Sequence, residues 1–223
     1  MISQEVKILT GVGILTLIVV GAAAMIFGGT TPAAKKQVLA AKDQQILIRS
    51  DSYKLTAPGS KVTMVEFGDF ECPACGEAYP DVKKLINAYK GKMTYVFREF
   101  PIPSHKYGFL AAYAAEAAGA QGKFFEMEDK LYSNQNEWAD ETKDTNAMDY
   151  FVKYAQDLKL DVNKFKHDVE NKTYDKRVQR DSKDGTKLGV EATPTFFING
   201  EMIVGAIPYD QFKSKIDAIL NQK

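Results

Sequence analysis

The spacing of apolar and polar positions changes several times along the chain, and each change predicts an element. From Ile8 to Phe27 the sequence ILTGVGILTLIVVGAAAMIF carries no charged residue. As a helix it would span roughly 30 Å, the thickness of a bilayer core. A stretch apolar on every face has no side to offer to water. It is also longer than the apolar region of a secretory signal, about 7–15 residues. We expect a short flank at residues 1–7 and a single N-terminal transmembrane helix, an anchor over residues 8–28. A cleaved secretory signal is the alternative. Gly28-Gly29-Thr30-Thr31-Pro32 ends the pattern, and residues 29–50 read as a juxtamembrane linker with helical spacing over 35–48.

From residue 51 to residue 223 the pattern is that of one globular domain. Residues 62–67 alternate as a strand rich in β-branched and aromatic side chains, with a short strand possible before them at 53–55. Residues 72–89 have helical spacing and stop at Gly91, with a kink expected near 78–80 from Pro80. Residues 93–100 form a second strand. Helical spacing then recurs at 105–120, 123–133, 146–158, 162–170 and, in more polar form, 176–188. Residues 195–198 form a strand, Asn199-Gly200 a two-residue turn, and 202–205 the return strand. A last helix opens at Pro208 and places Tyr209, Phe212, Ile216 and Ile219 on one face. Two β-α-β pieces separated by a helical block predict an α/β fold with a helical insertion at about 104–188.

Composition narrows the function. The 223 residues are 45% hydrophobic and 26% charged, enough to bury a core. Lys+Arg and Asp+Glu are 29 each, so a neutral chain offers no electrostatic reason to bind nucleic acid. The two cysteines are too few for a disulfide scaffold. A bridge between Cys72 and Cys75 closes so small a loop that it stabilises by only roughly 2 kcal/mol. The pair is there for its chemistry.

Cys72-Pro73-Ala74-Cys75 follows a strand and opens a helix. A helix N-terminus carries partial positive charge and free N–H groups, which favour a thiolate, the species that attacks a disulfide. Cys72 is at that end and is the candidate nucleophile. Pro73 suits the first helical turn, where a missing N–H costs nothing. Cys75, one turn on and facing inward, is placed to resolve a mixed disulfide on Cys72. No metal site is expected: zinc wants four ligands, there is no third cysteine, and no spacing ties His105 or His167 to the pair. Glu66 shares a strand face with Val62 and Met64. On a central strand it would be buried and able to exchange a proton with the thiols; on an edge strand it would be solvated. Thr193-Pro194 precedes the strand at 195–198. A proline is permitted there for purely structural reasons. The sharper reading is a cis-proline beside the thiols, presenting the Thr193 backbone to a peptide.

FGDFECPAC (67–75), GVEATPTFFING (189–200) and GAIPYDQF (205–212) resemble the DsbA-like thiol–disulfide oxidoreductases of the thioredoxin superfamily, a resemblance that runs from about Ser50 to the C-terminus. It implies a thioredoxin-like fold with a helical insertion. It implies Cys72 as attacking and Cys75 as resolving cysteine of a redox-active disulfide, Pro194 as the cis-proline and Glu66 as the buried acid. Pro73, Ala74, Thr193 and Pro194 would then face the substrate. The implied partners are cysteine-containing translocated proteins and a quinone-linked membrane reoxidase, with no cofactor of the chain's own. Ala74 departs from the family, whose best-studied members carry histidine there, and this weakens the case for a strong oxidant. A dithiol oxidase is the leading expectation; a reductase or isomerase, or a redox-inert peptide- or metal-binding module, are the alternatives. Lys7 on one side of the apolar stretch against Lys35, Lys36 and Lys42 on the other leans toward an inside domain, whereas disulfide chemistry belongs outside. The expectation is the cell membrane with the domain facing outward. His105 is expected to be a cap or surface residue, Phe124, Phe125 and Trp138 core, and residues 172–187 a solvated face.

Overall fold

Five strands, β1 (Tyr53–Leu55), β2 (Val62–Gly68), β3 (Met93–Glu99), β4 (Thr195–Ile198) and β5 (Glu201–Val204), form one sheet in the order β1-β3-β2-β4-β5 in the computed structural model. The structure describes residue 39, residues 41–139 and residues 146–222. The expected anchor at 8–28 and its flank lie outside them, as does most of the linker before Ala41. No helix among the described residues is long and apolar enough to cross a membrane.

β2 is the central strand. It runs parallel to β3 and antiparallel to β4, and all of it except Thr63 is buried. Its alternation sorts side chains between two cores. Val62 and Met64 join Met93, Tyr95 and Phe97 of β3 in the larger core, while Val65 and Phe67 join Val96 and Phe197 on the opposite face. The turn from β4 to β5 has Asn199 at φ 47 and Gly200 at φ 83, the left-handed pair that a two-residue hairpin requires.

Helix α1 (Ala41–Leu47) falls inside the linker and places Leu47 in the smaller core. α2 (Pro73–Ala88) returns β2 to β3 and buries Cys75, Ala78, Tyr79, Val82 and Leu85 along one stripe. Pro80 sits inside it without ending it, and the chain turns away at Gly91, φ +77. Among the described residues the insertion contains six helices: α3 (Gly108–Gly119), α4 (Phe124–Ser133), α5 (Gln135–Trp138), α6 (Ala147–Asp157), α7 (Val162–Glu170) and α8 (Asp175–Lys187). α3 is buried on nearly every face, because its alanines let neighbouring helices approach closely. Trp138 and Phe124 are core, as expected, and Trp138 donates to the Leu131 carbonyl at 2.9 Å. α9 (Tyr209–Leu220) closes the chain and buries Phe212 and Ile216.

Residues 172–187 are not simply a solvated face. Asp181 and Asp184 of α8 are buried, because β3 sends the fully buried Arg98 toward them. Arg98 Nη2 donates to Asp181 at 3.0 Å and to Asp184 at 2.8 Å, and Nη1 donates to the Ile46 and Leu47 carbonyls that end α1. A buried guanidinium survives only with its donors used and its charge matched. This cluster ties α1 and α8 to the sheet.

Candidate active site

The loop from β2 to α2 is built on Asp69. Its carboxylate accepts the Glu71 N–H at 2.9 Å and the Ile102 N–H at 2.8 Å, and it holds His105 Nδ1 at 2.6 Å. Its carbonyl accepts the Cys72 N–H at 3.1 Å. Cys72 is thereby set as the extended residue just before the helix, which starts at Pro73 rather than at the cysteine. His105 does not cap a helix, since α3 begins at Gly108 after Tyr107. Its imidazole pairs with Asp69 instead, and its pKa is raised: burial works against the charge, but the Asp69 hydrogen bond and carboxylate outweigh it.

Both cysteines are free thiols. Cys72 retains 8% exposure and Cys75 none, so only the first can meet a partner. The Cys72 thiol donates to the Thr193 carbonyl at 3.4 Å, and the Thr193–Pro194 peptide is cis. Segments 121 residues apart in sequence thus meet at one sulfur. Gln135 of α5 closes the other side, donating from Nε2 to the Phe70 carbonyl at 2.7 Å and the Cys72 carbonyl at 3.0 Å. Gly76 makes room for it: a Cβ there would collide with the Gln135 amide.

The two thiols have opposite acidities. The hydrogen bond with Cys75 is the largest influence on Cys72 and brings it down to about 5, against burial and with help from Thr193 and then from the Cys75 and Ala74 backbone N–H groups at the helix start. Cys75 is pushed well above the ordinary thiol range by burial, then by its bond to Cys72 and the negative charge of Glu66. Glu66 is buried on the central strand, which decides between its two expected environments. Burial raises it to about 7, opposed by a hydrogen bond from the Tyr95 hydroxyl at 2.7 Å. The structure brings Cys72, Cys75, Thr193, Pro194 and Glu66 near one another, with Pro73 and Ala74 between the thiols. The sequence motifs miss Asp69, Tyr95, Glu128 and Gln135. Only Asp69 had a local signal, as an acid two residues before the N–H it accepts.

A thioredoxin family model matches residues 54–218, and the chain belongs to that family. Among solved structures it is similar to BdbD from Bacillus subtilis in its oxidised form, with 25% identity and a TM-score of 0.68 over 84% of this chain and 98% of that one. It is similar also to α-DsbA1 from Wolbachia pipientis, with 22% identity and a TM-score of 0.70 over 79% and 94% of the two chains. Among curated proteins it is 36% identical over 159 residues to the Na(+)/H(+) antiporter NhaA 1 of Mycobacterium sp. (strain KMS), covering 69% of this chain and 24% of that protein. It is 40% identical over 140 residues to NhaA 1 of Salinispora arenicola (strain CNS-205), covering 62% and 20%. The chain thus matches a quarter or less of the length of these curated relatives, and ion transport is not carried over from them.

Proposed function

We propose that the chain is a thiol–disulfide oxidoreductase that works outside the cytoplasm as a dithiol oxidase on translocated proteins. The observation that carries this reading is the split between the two thiols: an accessible Cys72 brought down to about 5 beside a buried Cys75 pushed up. In the oxidising direction a substrate thiolate attacks Sγ of Cys72. The Cys72–Cys75 bond breaks, its electron pair goes to Cys75, and Cys75 takes a proton from Glu66. The substrate's second thiolate then attacks its own sulfur in the mixed disulfide. Cys72 departs as a thiolate, and a low pKa makes it a good leaving group. Two electrons have passed from substrate to the cysteine pair, and a quinone-linked membrane partner would take them on. The Thr193 backbone against Cys72 offers a peptide an edge to lie along. The thiol-disulfide exchange protein α-DsbA2 from Wolbachia pipientis, to which the chain is similar with 23% identity and a TM-score of 0.67, is in keeping with this reading.

Ala74 in place of a histidine favours a second reading, a reductase or isomerase of the same fold. The reduction potential of the Cys72–Cys75 pair in glutathione buffer separates the two. We expect a value well above thioredoxin's roughly −270 mV; one at or below it supports the reductase. Cys72→Ser should abolish oxidation of a dithiol peptide; wild-type oxidation no faster than the protein-free background, and unchanged by Cys72→Ser, would leave only a redox-inert binding module. Residues 8–28 are proposed as the anchor, with the domain outside. Protease added to intact cells should digest the domain, and full protection would reverse that orientation.

A further inference from the structure

Glu66 has 2% of its surface exposed, and its carboxyl meets the Tyr95 hydroxyl at 2.7 Å. The same hydroxyl lies 3.1 Å from Oε1 of Glu128, on α4 of the insertion, a residue also 2% exposed. A phenol has one hydrogen to donate. Were both carboxyls ionised, one contact would set lone pair against lone pair between two buried negative charges. One carboxyl therefore carries a proton and donates it to Tyr95 Oη, while Tyr95 donates to the other. The trio has two such forms, with the proton on Glu128 or on Glu66. Passing between them shifts two protons through the Tyr95 oxygen and moves no heavy atom.

The surroundings bias this equilibrium. From α2, Cys75, Tyr79 and Lys83 face the trio; from α4, Asp129 and Tyr132 do. The Tyr132 hydroxyl is buried with no hydrogen-bond partner among the described residues. Asp129 is held by Tyr79 at 2.9 Å and by Lys83. Burial first, then the Glu66 charge, raises Glu128 well above the usual carboxyl range; Asp129 adds to this, while the Tyr95 bond and Lys83 oppose it. At rest the proton sits on Glu128 and Tyr95 points its hydrogen at Glu66.

We propose that Glu128 is a positioning residue for thiol–disulfide exchange: through Tyr95 it stores the proton that Glu66 hands to Cys75, so that Glu66 serves as acid in one direction and base in the other. This rests on the exchange reaction proposed above. When a substrate thiolate bonds to Cys72 Sγ and the Cys72–Cys75 bond breaks, Tyr95 gives its proton to Glu66 and receives that of Glu128, and the released electron pair on Cys75 takes the proton from Glu66. Both carboxyls are then ionised, with Tyr95 donating to one of them, until solvent returns one proton to the trio. In the reducing direction each transfer reverses.

Glu128→Gln tests this in the full-length protein, because the amide keeps an N–H donor toward Tyr95 Oη but has no proton to release. The rate at which a dithiol peptide reduces the Cys72–Cys75 disulfide is measured against pH and divided by the peptide's thiolate fraction. At about pH 6 Glu66 carries its own proton, so variant and wild type should agree within about twofold. Above about pH 7 Glu66 ionises, and the variant should fall by about tenfold per pH unit while the wild type keeps the stored proton. Tyr95→Phe, which removes only the hydroxyl, should show the same fall, and the double variant no more than either. A Glu128→Gln profile that superimposes on wild type, or effects that add, would overturn the proposal. If Glu128→Gln does not fold, the Tyr95→Phe profile decides by itself. A wild-type protein with no Cys72-dependent exchange would instead overturn the oxidoreductase reading.

Discussion

Replacing Cys75 with alanine should raise the titration midpoint of Cys72 while leaving the thiol in place. A thiol that ordinarily titrates near 9.0 is brought down to about 5 at Cys72. At about 1.4 kcal/mol per pH unit, that is a preference for the thiolate on the order of 5 kcal/mol. The Cys75 hydrogen bond is its largest source. A hydrogen bond to a charged group stabilises by about 1.5–3 kcal/mol, or roughly one to two pH units. Cys75→Ala should therefore move the midpoint to about 6–7, Thr193 and the helix-start N–H groups holding the remainder. Ultraviolet absorbance of the thiolate, or the alkylation rate against pH, reads the midpoint directly, since Cys72 is then the only cysteine. A midpoint still near 5 would assign the thiolate to Thr193 and the helix-start N–H groups; one near 9 would leave both no role. The same depression makes a stability prediction. A group whose folded pKa is lowered contributes fully above its unfolded value and loses that contribution as pH falls through the folded one. The reduced protein should gain about 3 kcal/mol of stability from Cys72 at neutral pH and almost none below about pH 4. Urea unfolding of the reduced and oxidised forms across that range checks it, because the disulfide form has no thiol to titrate.

Glu66→Gln should slow exchange by at least about tenfold without unfolding the domain, since a positioned acid–base group contributes more than that; equal rates from pH 5 to 9 would remove its role. Arg98→Met should destabilise by about 3 kcal/mol in urea, because it removes the buried cation that Asp181 and Asp184 share and leaves them only the part-exposed Arg49 and Arg180; a loss under about 1 kcal/mol would mean that Arg49 and Arg180 suffice. The raised pKa of His105 predicts stability from its Asp69 pair that is complete below the ordinary histidine value of 6.5 and lost as pH rises through the folded one. An NMR titration of His105 should place its midpoint above the ordinary histidine value of 6.5, and His105→Leu should remove this part of the stability–pH profile.

Local features of this protein are legible in its sequence because they depend on neighbours a few residues away. The β2 alternation, the Asn199-Gly200 turn, the start of α2 at Cys72-Pro73 and the helical spacing of the insertion are all of this kind, and the structure places each within a few residues of its expected bounds. The motif residues Cys72, Cys75, Thr193 and Pro194 belong with them, as members of a pattern that names its own positions. Tertiary structure alone decided the rest. Strand alternation leaves Glu66 either buried or solvated; only β3 on one side and β4 on the other, drawn from distant segments, make its strand central. Arg98 stays buried because α8 carries Asp181 and Asp184 to it, so a polar helix that reads as a solvated face turns two acids inward. His105 finds its carboxylate 36 residues back. Cys72-Pro73-Ala74-Cys75 identifies the reacting sulfurs, but their acidities come from burial and from partners that packing brings in. Glu66, Tyr95 and Glu128 have no spacing in common, and one hydroxyl joins them only because an inserted helix lies over the sheet.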